Sequence, residues 1–246
     1  MKIAALADIH GNIDALEAVL ADLERHRPDA VVNLGDSLSS PLAAGETAER
    51  LLPLSLPTVR GNHDRALVEG PESEMGDWEK PAFPELSEAH LQWLRDMPSA
   101  LVVEGEVYMC HATPQRDDVM WTEELLPSGH FALKSQAEIE ALAEGISYPL
   151  ILCGHSHTAR SVLLSEGRIL VNPGSVGCPG FAYNVPVDHK LEAANPFACY
   201  AIIEKTDAGW QPTFHQVRYD TTRMVSLARD AGYEDWVKVI ATGRVD

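Results

Sequence analysis

The chain opens on an unbroken apolar run, Ile3-Ala4-Ala5-Leu6-Ala7, that stops at the carboxylate of Asp8. A short apolar run ended by a polar residue reads as a buried strand. Apolar residues then recur at Ile13, Leu16, Val19, Leu20 and Leu23, the stripe of one helix face. Ala30–Leu34 reads as a second strand, Ala43–Leu52 as a helix stopped by Pro53, and Thr58–Val59 as part of a short third strand. This β–α–β–α–β rhythm predicts a parallel or mixed sheet covered by helices.

The middle of the chain is less regular. Gly70–Pro84 reads as an ordered loop or short-helix excursion, after which Ser87 caps a helix carrying Leu91, Trp93 and Leu94. Ala100–Val103 and Val107–Cys110 read as strands joined by a turn at Gly105. A second excursion runs from Thr113 to about Ser135, followed by a helix at Gln136–Leu142. Leu150–Cys153, Ser161–Leu164, Ile169–Val171, Phe197–Glu204 and Gln211–Arg218 read as strands, and helices at Thr221–Ala231 and Glu234–Ile240 finish the chain. No repeat or linker divides it, so the expectation is one domain over 1–246, with two packed sheets flanked by helices.

Composition narrows the function. Hydrophobic residues make up 45% and charged residues 23%, as in soluble globular proteins. The 37 acidic and 19 basic residues leave a net charge of −18. That excess argues against long nucleic acid, whose affinity comes mostly from Lys and Arg meeting phosphates. A small anion can still enter where metal ions reverse the sign locally. Cys110, Cys153, Cys178 and Cys199 are scattered without a C-x-x-C pair, which argues against a zinc knuckle or redox motif. Cys110 and Cys153 end apolar strands and read as reduced and buried. The first apolar run is too short for a signal peptide, no stretch reaches membrane-spanning length, and no Asn-x-Ser/Thr sequon occurs. A cytoplasmic location, with no membrane partner, is the expectation.

Five polar segments carry the candidate chemistry: Asp8-Ile9-His10-Gly11-Asn12, Gly35-Asp36, Gly61-Asn62-His63-Asp64, Cys110-His111 and Gly154-His155-Ser156-His157. Residues two apart in an extended segment point the same way, so Asp8 and His10 form one pincer and His155 and His157 another. Carboxylate with imidazole suits Mn²⁺, Fe and Zn²⁺. Asp36 has the lone pairs to touch two ions and is the natural bridge. Asn62 offers an amide oxygen and His111 a further nitrogen. His63 followed by Asp64 reads as an acid held and made more basic by a carboxylate. Each segment alone is common; a Gly-Asp or Gly-Asn-His-Asp is usually a turn. Their joint occurrence after strand-like runs is what points to a two-metal hydrolytic centre.

This ordered set resembles that of the calcineurin-like metallophosphoesterase superfamily, with its D-x-H, G-D, G-N-H-[DE], H and G-H-x-H blocks, over Lys2 to about Ser175. The chain looks most like the superfamily's compact bacterial and archaeal branch. The resemblance implies an αββα four-layer sandwich, two mixed β-sheets flanked by helices, with the site at the strand ends. It implies one ion on Asp8, His10, Asp36 and His157, another on Asp36, Asn62, His111 and His155, and His63 as general acid oriented by Asp64. The expected reaction is attack of a bridging hydroxide on phosphorus in a small soluble phosphorylated substrate, first of all a phosphodiester. A phosphomonoesterase or nucleotidase, a protein phosphatase, and a non-catalytic partner-binding scaffold are the alternatives.

Protein phosphatases of the superfamily extend the second block to G-D-x-x-D-R-G. Here Gly35-Asp36-Ser37-Leu38-Ser39-Ser40 lacks the second Asp and the Arg, which argues against that activity. Arg60 and Arg65 flank the third block as candidate substrate contacts. Asn172–Gly177 reads as a turn shaping the loop near the site. The excursions at Gly70–Pro84, Thr113–Ser135 and Val176–Asn195 are expected to wall the pocket. Trp121 reads as a core residue more readily than a pocket residue. His130 and His189 fall in the excursions, where they are candidates to approach substrate.

Overall fold

The structure is a computed structural model and describes residues 1–245. The first part runs β1 (Lys2–Leu6), α1 (Ile13–His26), β2 (Ala30–Asn33), α2 (Ala44–Leu51), α3 (Asn62–Ala66), α4 (Glu79–Ala82) and α5 (Glu88–Asp96). The middle holds β3 (Ala100–Val103), β4 (Val107–Cys110), β5 (Glu123–Leu125), β6 (Phe131–Leu133), α6 (Gln136–Leu142), β7 (Leu150–Leu152), β8 (Arg160–Leu163) and β9 (Ile169–Asn172). The last part adds β10 (Gly180–Tyr183), β11 (His189–Glu192), β12 (Ala198–Thr206), β13 (Gly209–Val217), α7 (Thr222–Asp230) and α8 (Glu234–Thr242).

Two mixed sheets form the centre. One has the order β13-β12-β1-β2, with β1 and β2 parallel. The other has the order β3-β4-β7-β9-β8, with β4, β7 and β9 parallel and antiparallel strands at both edges. The two-residue period of a strand then builds three apolar layers. In β1, Ala4 and Leu6 face a core shared with α1, α7 and α8, while Ile3 and Ala5 face the space between the sheets. In β4 and β7, Val107, Met109, Leu150 and Leu152 face that same space. Their alternates Tyr108, Cys110 and Ile151 pack with Ile139 of α6 on the far side. The order is therefore helices, sheet, sheet, helix, as the sequence pattern led us to expect.

Asn12 shows how sequence fixes the approach to the site. Its side-chain oxygen accepts from Ala15 N and caps α1, while its amide nitrogen donates to Gly177 O and to the Tyr219 hydroxyl. Thr58–Val59 departs from the expectation: Thr58 forms only an isolated bridge to Asn33. Two hairpins, β5–β6 and β10–β11, occupy excursions that carried no strand pattern. Trp121 is fully buried, its indole nitrogen donating to Ile139 O. The four cysteines are free thiols, three of them buried. No helix among the described residues is long and apolar enough to cross a membrane.

Candidate metal centre

Four of the five polar segments leave the carboxyl ends of β1, β2, β4 and β7 or follow just after them, and the Gly61 segment follows the Thr58 bridge to β2, at the edge where ligands bind in such sheets. The parallel pairing of β1 with β2 and of β4 with β7 brings those ends together. Two groups of ligand atoms result, each within 4.8 Å of one another: Asp8, His10 and His157, and Asp36, His111 and His155. The Asn62 amide joins the second group, 3.1 Å from His111 Nε2. With its nitrogen turned inward it also lies 3.0 Å from His155 Nδ1.

The local backbone is not the extended pincer expected from residue spacing. Asp8, His10, Asp36, His155 and His157 all have positive φ, between 48° and 68°. Each such non-glycine residue costs on the order of 1–3 kcal/mol and persists only when its surroundings hold it. Backbone bonds supply the hold: Asp8 N donates to Gly35 O, His10 N to Asp36 O and Gly11 N to Ser37 O. His155 and His157 diverge, one to each group, because the chain coils between them.

The Asn172–Gly177 turn braces the same region. Gly177 N and the Ser175 hydroxyl donate to Asp8 O, and the Asn172 amide donates to Gly154 O. Gly35 and Gly61 lie back to back. A Cβ on Gly61 would meet Asp36 Oδ1 at 2.1 Å, and one on Gly35 would meet Gly61 N at 2.6 Å.

The imidazoles are tuned as ligands. His10 Nδ1 donates to Ser39 O, His157 Nδ1 to Cys178 O and His111 Nδ1 to Leu34 O. Each ring is thereby locked with its Nε2 toward the centre. Burial, with the neighbouring histidines, holds His10 well below the ordinary imidazole range and lowers His155 to about 3; burial also lowers His157, to about 4. With both Nδ1 atoms turned to backbone carbonyls, the Nε2 atoms of His10 and His157 face each other at 3.2 Å as a pair of acceptors. Two facing lone pairs repel unless a cation sits with them, so the donor set fits divalent metal.

The carboxylates respond to the same crowding. Burial raises Asp8 to about 8. Burial also opposes the charge on Asp36, but His111 and His63 outweigh it and hold Asp36 well below the usual range. His111 is pushed down by burial and up more strongly by Asp36, reaching about 10.

One expectation is overturned. Asp64 does not orient His63. Its buried carboxylate accepts from the backbone nitrogens of Asp36, Ser37 and Gly61. It clamps the second block to the third and caps the start of α3. The carboxylate on His63 Nδ1 is Glu79, and the indole of Trp78 stacks on the His63 ring at 4.8 Å and 15°. Burial lowers the His63 pKa, but Asp36 and Glu79 together raise it above the ordinary value.

Arg60 pairs with Glu69, and Arg65 forks onto Asp117 through two bonds of 2.6 and 3.1 Å. Both guanidinium groups are therefore already engaged by carboxylates. A third group, Asp22, His26 and His215, lies apart from the centre on α1 and β13, with Asp22 held by the Tyr200 hydroxyl at 2.8 Å.

Comparison with known proteins places the chain in a family. The calcineurin-like phosphoesterase superfamily domain matches residues 1–187. The crystal structure of a metallophosphoesterase from Sphaerobacter thermophilus superposes with a TM-score of 0.73 at 26% identity, covering 99% of this chain and 100% of that one. An uncharacterised protein of Methanocaldococcus jannaschii is 30% identical over 206 residues, 72% of this chain and 76% of its own length. With its ligand groups at the strand ends and this match over most of its length, the chain belongs to the calcineurin-like phosphoesterase superfamily and is a metal-dependent phosphoester hydrolase.

Proposed function

We propose that the protein is a two-metal phosphodiesterase acting on a small soluble substrate. Asp8, His10 and His157, with Asp36, would hold one ion, and Asp36, Asn62, His111 and His155 would hold the other. The mixed carboxylate and imidazole donors favour Mn²⁺, Fe or Zn²⁺. The observation that carries this reading is the facing of His10 and His157 Nε2 across 3.2 Å in one ligand group with Asp8. When bound, the two ions supply Lewis acidity and a water activated as nucleophile at neutral pH.

The chain's own contribution is positional and acidic. His63 stands beside the ligand groups, its Nδ1 occupied by Glu79 and its ring stacked on Trp78. Asp36 and Glu79 raise its proton affinity, which favours the protonated ring that can donate from Nε2 to the leaving oxygen. Asp64 and the left-handed backbone hold the ligand loops at fixed spacing. The diester preference is supported by Arg60 and Arg65. Both are tied up by carboxylates, so no free guanidinium from this block meets the second negative charge of a monoester.

The test compares bis(4-nitrophenyl) phosphate with 4-nitrophenyl phosphate on Mn²⁺-loaded and chelated protein. Metal-dependent turnover favouring the diester is expected, and a monoester preference would overturn the diesterase assignment. His63→Ala should retain its metal and lose rate about 10²-fold or more, most with poorly acidic leaving alcohols. An equal loss across leaving groups would remove His63 from the acid role.

A further inference from the structure

The cleft of about 1130 Å³ that opens from His63 is walled by all three excursions and by the turn into α8, and it serves the centre already described. A separate set of ligand-type side chains lies where α1 ends against β13. The fold, rather than the sequence order, assembles it. Asp22 and His26 are four residues apart and so share one face of α1. His215 comes from β13, the outer strand of its sheet, where it pairs with Tyr200 of β12. α1 packs on both strands, and one ligand atom from each of Asp22, His26 and His215 falls within 4.8 Å of the others.

Tyr200 organises the group. It is fully buried, its hydroxyl donates to Asp22 Oδ2 at 2.8 Å, and its ring stacks on the His215 imidazole at 4.9 Å and 17°. The carboxylate and one imidazole are thus held in place by the protein itself. The His26 ring meets that of His215 at 4.5 Å and 61°.

The two imidazoles lack partners of their own. Among the described residues no hydrogen bond reaches a ring nitrogen of either, and His26 Nε2 stands 3.6 Å from Asp22 Oδ2, too long for one. An ion pair of His26 with Asp22 alone would leave His215 without a role. The Asp22 and His26 side chains are 17% and 32% exposed, so an ion can enter and keep water ligands. His26 is also the last residue of α1, the end of a helix that favours positive charge. Two cations oppose this. Arg25 lies 3.3 Å from Asp22 Oδ1 but is 82% exposed, and Lys2 Nζ donates to His26 O at 3.4 Å. Neither occupies an imidazole.

We propose that Asp22, His26 and His215 form a further site for a transition-metal dication, Zn²⁺ by its donor chemistry, which pins the end of α1 to the outer strand β13. Two imidazoles and one carboxylate suit Zn²⁺ with water as fourth ligand, and not Mg²⁺ or Ca²⁺, which take mainly oxygen. The site is independent of what the strand-end centre hydrolyses.

The test titrates Zn²⁺ into full-length protein by equilibrium dialysis at micromolar free metal, with wild type beside His26→Gln and His215→Gln. Each variant should bind one Zn²⁺ fewer per chain than wild type, with far-ultraviolet circular dichroism unchanged. Comparing stoichiometries cancels whatever the strand-end centre binds. Arg25→Ala removes a competing cation and should tighten the Zn²⁺ that the two variants lose, by about two- to fivefold. Equal stoichiometry in wild type and both variants overturns the site. A check on the wild type needs no variant to fold: the ring-proton NMR signals of His26 and His215 should move together as Zn²⁺ is added. Signals that stay fixed while the strand-end centre fills overturn the site as well.

Discussion

His63 and its two acidic neighbours show how a single residue's role depends on direction as well as proximity. His63 and Asp64 are consecutive in α3, and adjacent residues on a helix point apart. Asp64 therefore turns to the backbone of Asp36, Ser37 and Gly61, and Glu79 reaches the imidazole from sixteen residues on. The two carboxylates should separate in mutants. Glu79→Gln removes the charge that helps raise His63, so the alkaline limb of kcat should move to lower pH. Turnover of poor leaving groups should fall about 10-fold or more. Asp64→Asn presents an amide nitrogen to buried backbone donors and should cost about 1–3 kcal/mol of stability. Its pH profile should keep its limbs, as read by urea unfolding beside a pH–rate curve. A shifted limb in Asp64→Asn with none in Glu79→Gln would restore Asp64 as the partner of His63.

Among the elements, the long periodic ones were legible from the sequence and the short polar ones were not. The stripe at Ile13, Leu16, Val19 and Leu23 marked α1, and the apolar runs before Asp8, Cys110 and Cys153 marked β1, β4 and β7. Four of the five ligand blocks were readable because each follows or closely trails such a run. By contrast, Glu123-Glu124-Leu125 and His189-Lys190-Leu191-Glu192 show no apolar alternation that would distinguish a hairpin from a loop. Trp78 and Glu79 belong to no motif. The only signal for them was an expected need for a carboxylate at His63, and the chain has 37 acids to choose from. The left-handed turns at the ligands were hidden too, since only glycine advertises positive φ in sequence. Where two of these loops touch, the contact leaves no room. Gly61→Ala places a Cβ 2.1 Å from Asp36 Oδ1, so the Asp36 loop must shift. We expect at least a tenfold loss of metal affinity, measured by metal titration, with far-ultraviolet circular dichroism unchanged. Native affinity in that variant would show the loops to be independent.

Across the whole molecule, the buried centre couples protons to folding. Asp8 stands at about 8 in the metal-free fold against an ordinary 3.8, and His111 at about 10 against 6.5. Between pH 6.5 and 8 both keep protons that the unfolded chain has released. Unfolding then releases protons, so metal-free stability falls as pH rises through that window. His155 and His157, lowered to about 3 and about 4, stay neutral in the fold while their unfolded counterparts, ordinarily 6.5, shed their remaining protons, so their opposing effect is confined to the lower end of that window. Metal binding demands the same protons back from its ligands, so Mn²⁺ affinity should climb over the same interval. The gap in Tm between Mn²⁺-loaded and chelated protein should widen by several degrees from pH 6.5 to pH 8. Differential scanning calorimetry at the two pH values decides it, and a narrowing gap would count against these proton positions.

Every ligand of the two groups at the strand ends lies between Asp8 and His157, inside the 1–187 stretch shared with the superfamily, whereas Tyr233, Asp235 and Trp236 sit beyond it on the turn into α8 and its first residues. The cleft beside His63 is thus walled jointly by the shared stretch, through Trp78 and Tyr183, and by residues beyond it. Met224, Ala228, Trp236 and Ile240 of α7 and α8 also pack in one core with Ala4 and Leu6 of β1, so exchanging the chain after β13 would reshape the cleft and uncover that core together.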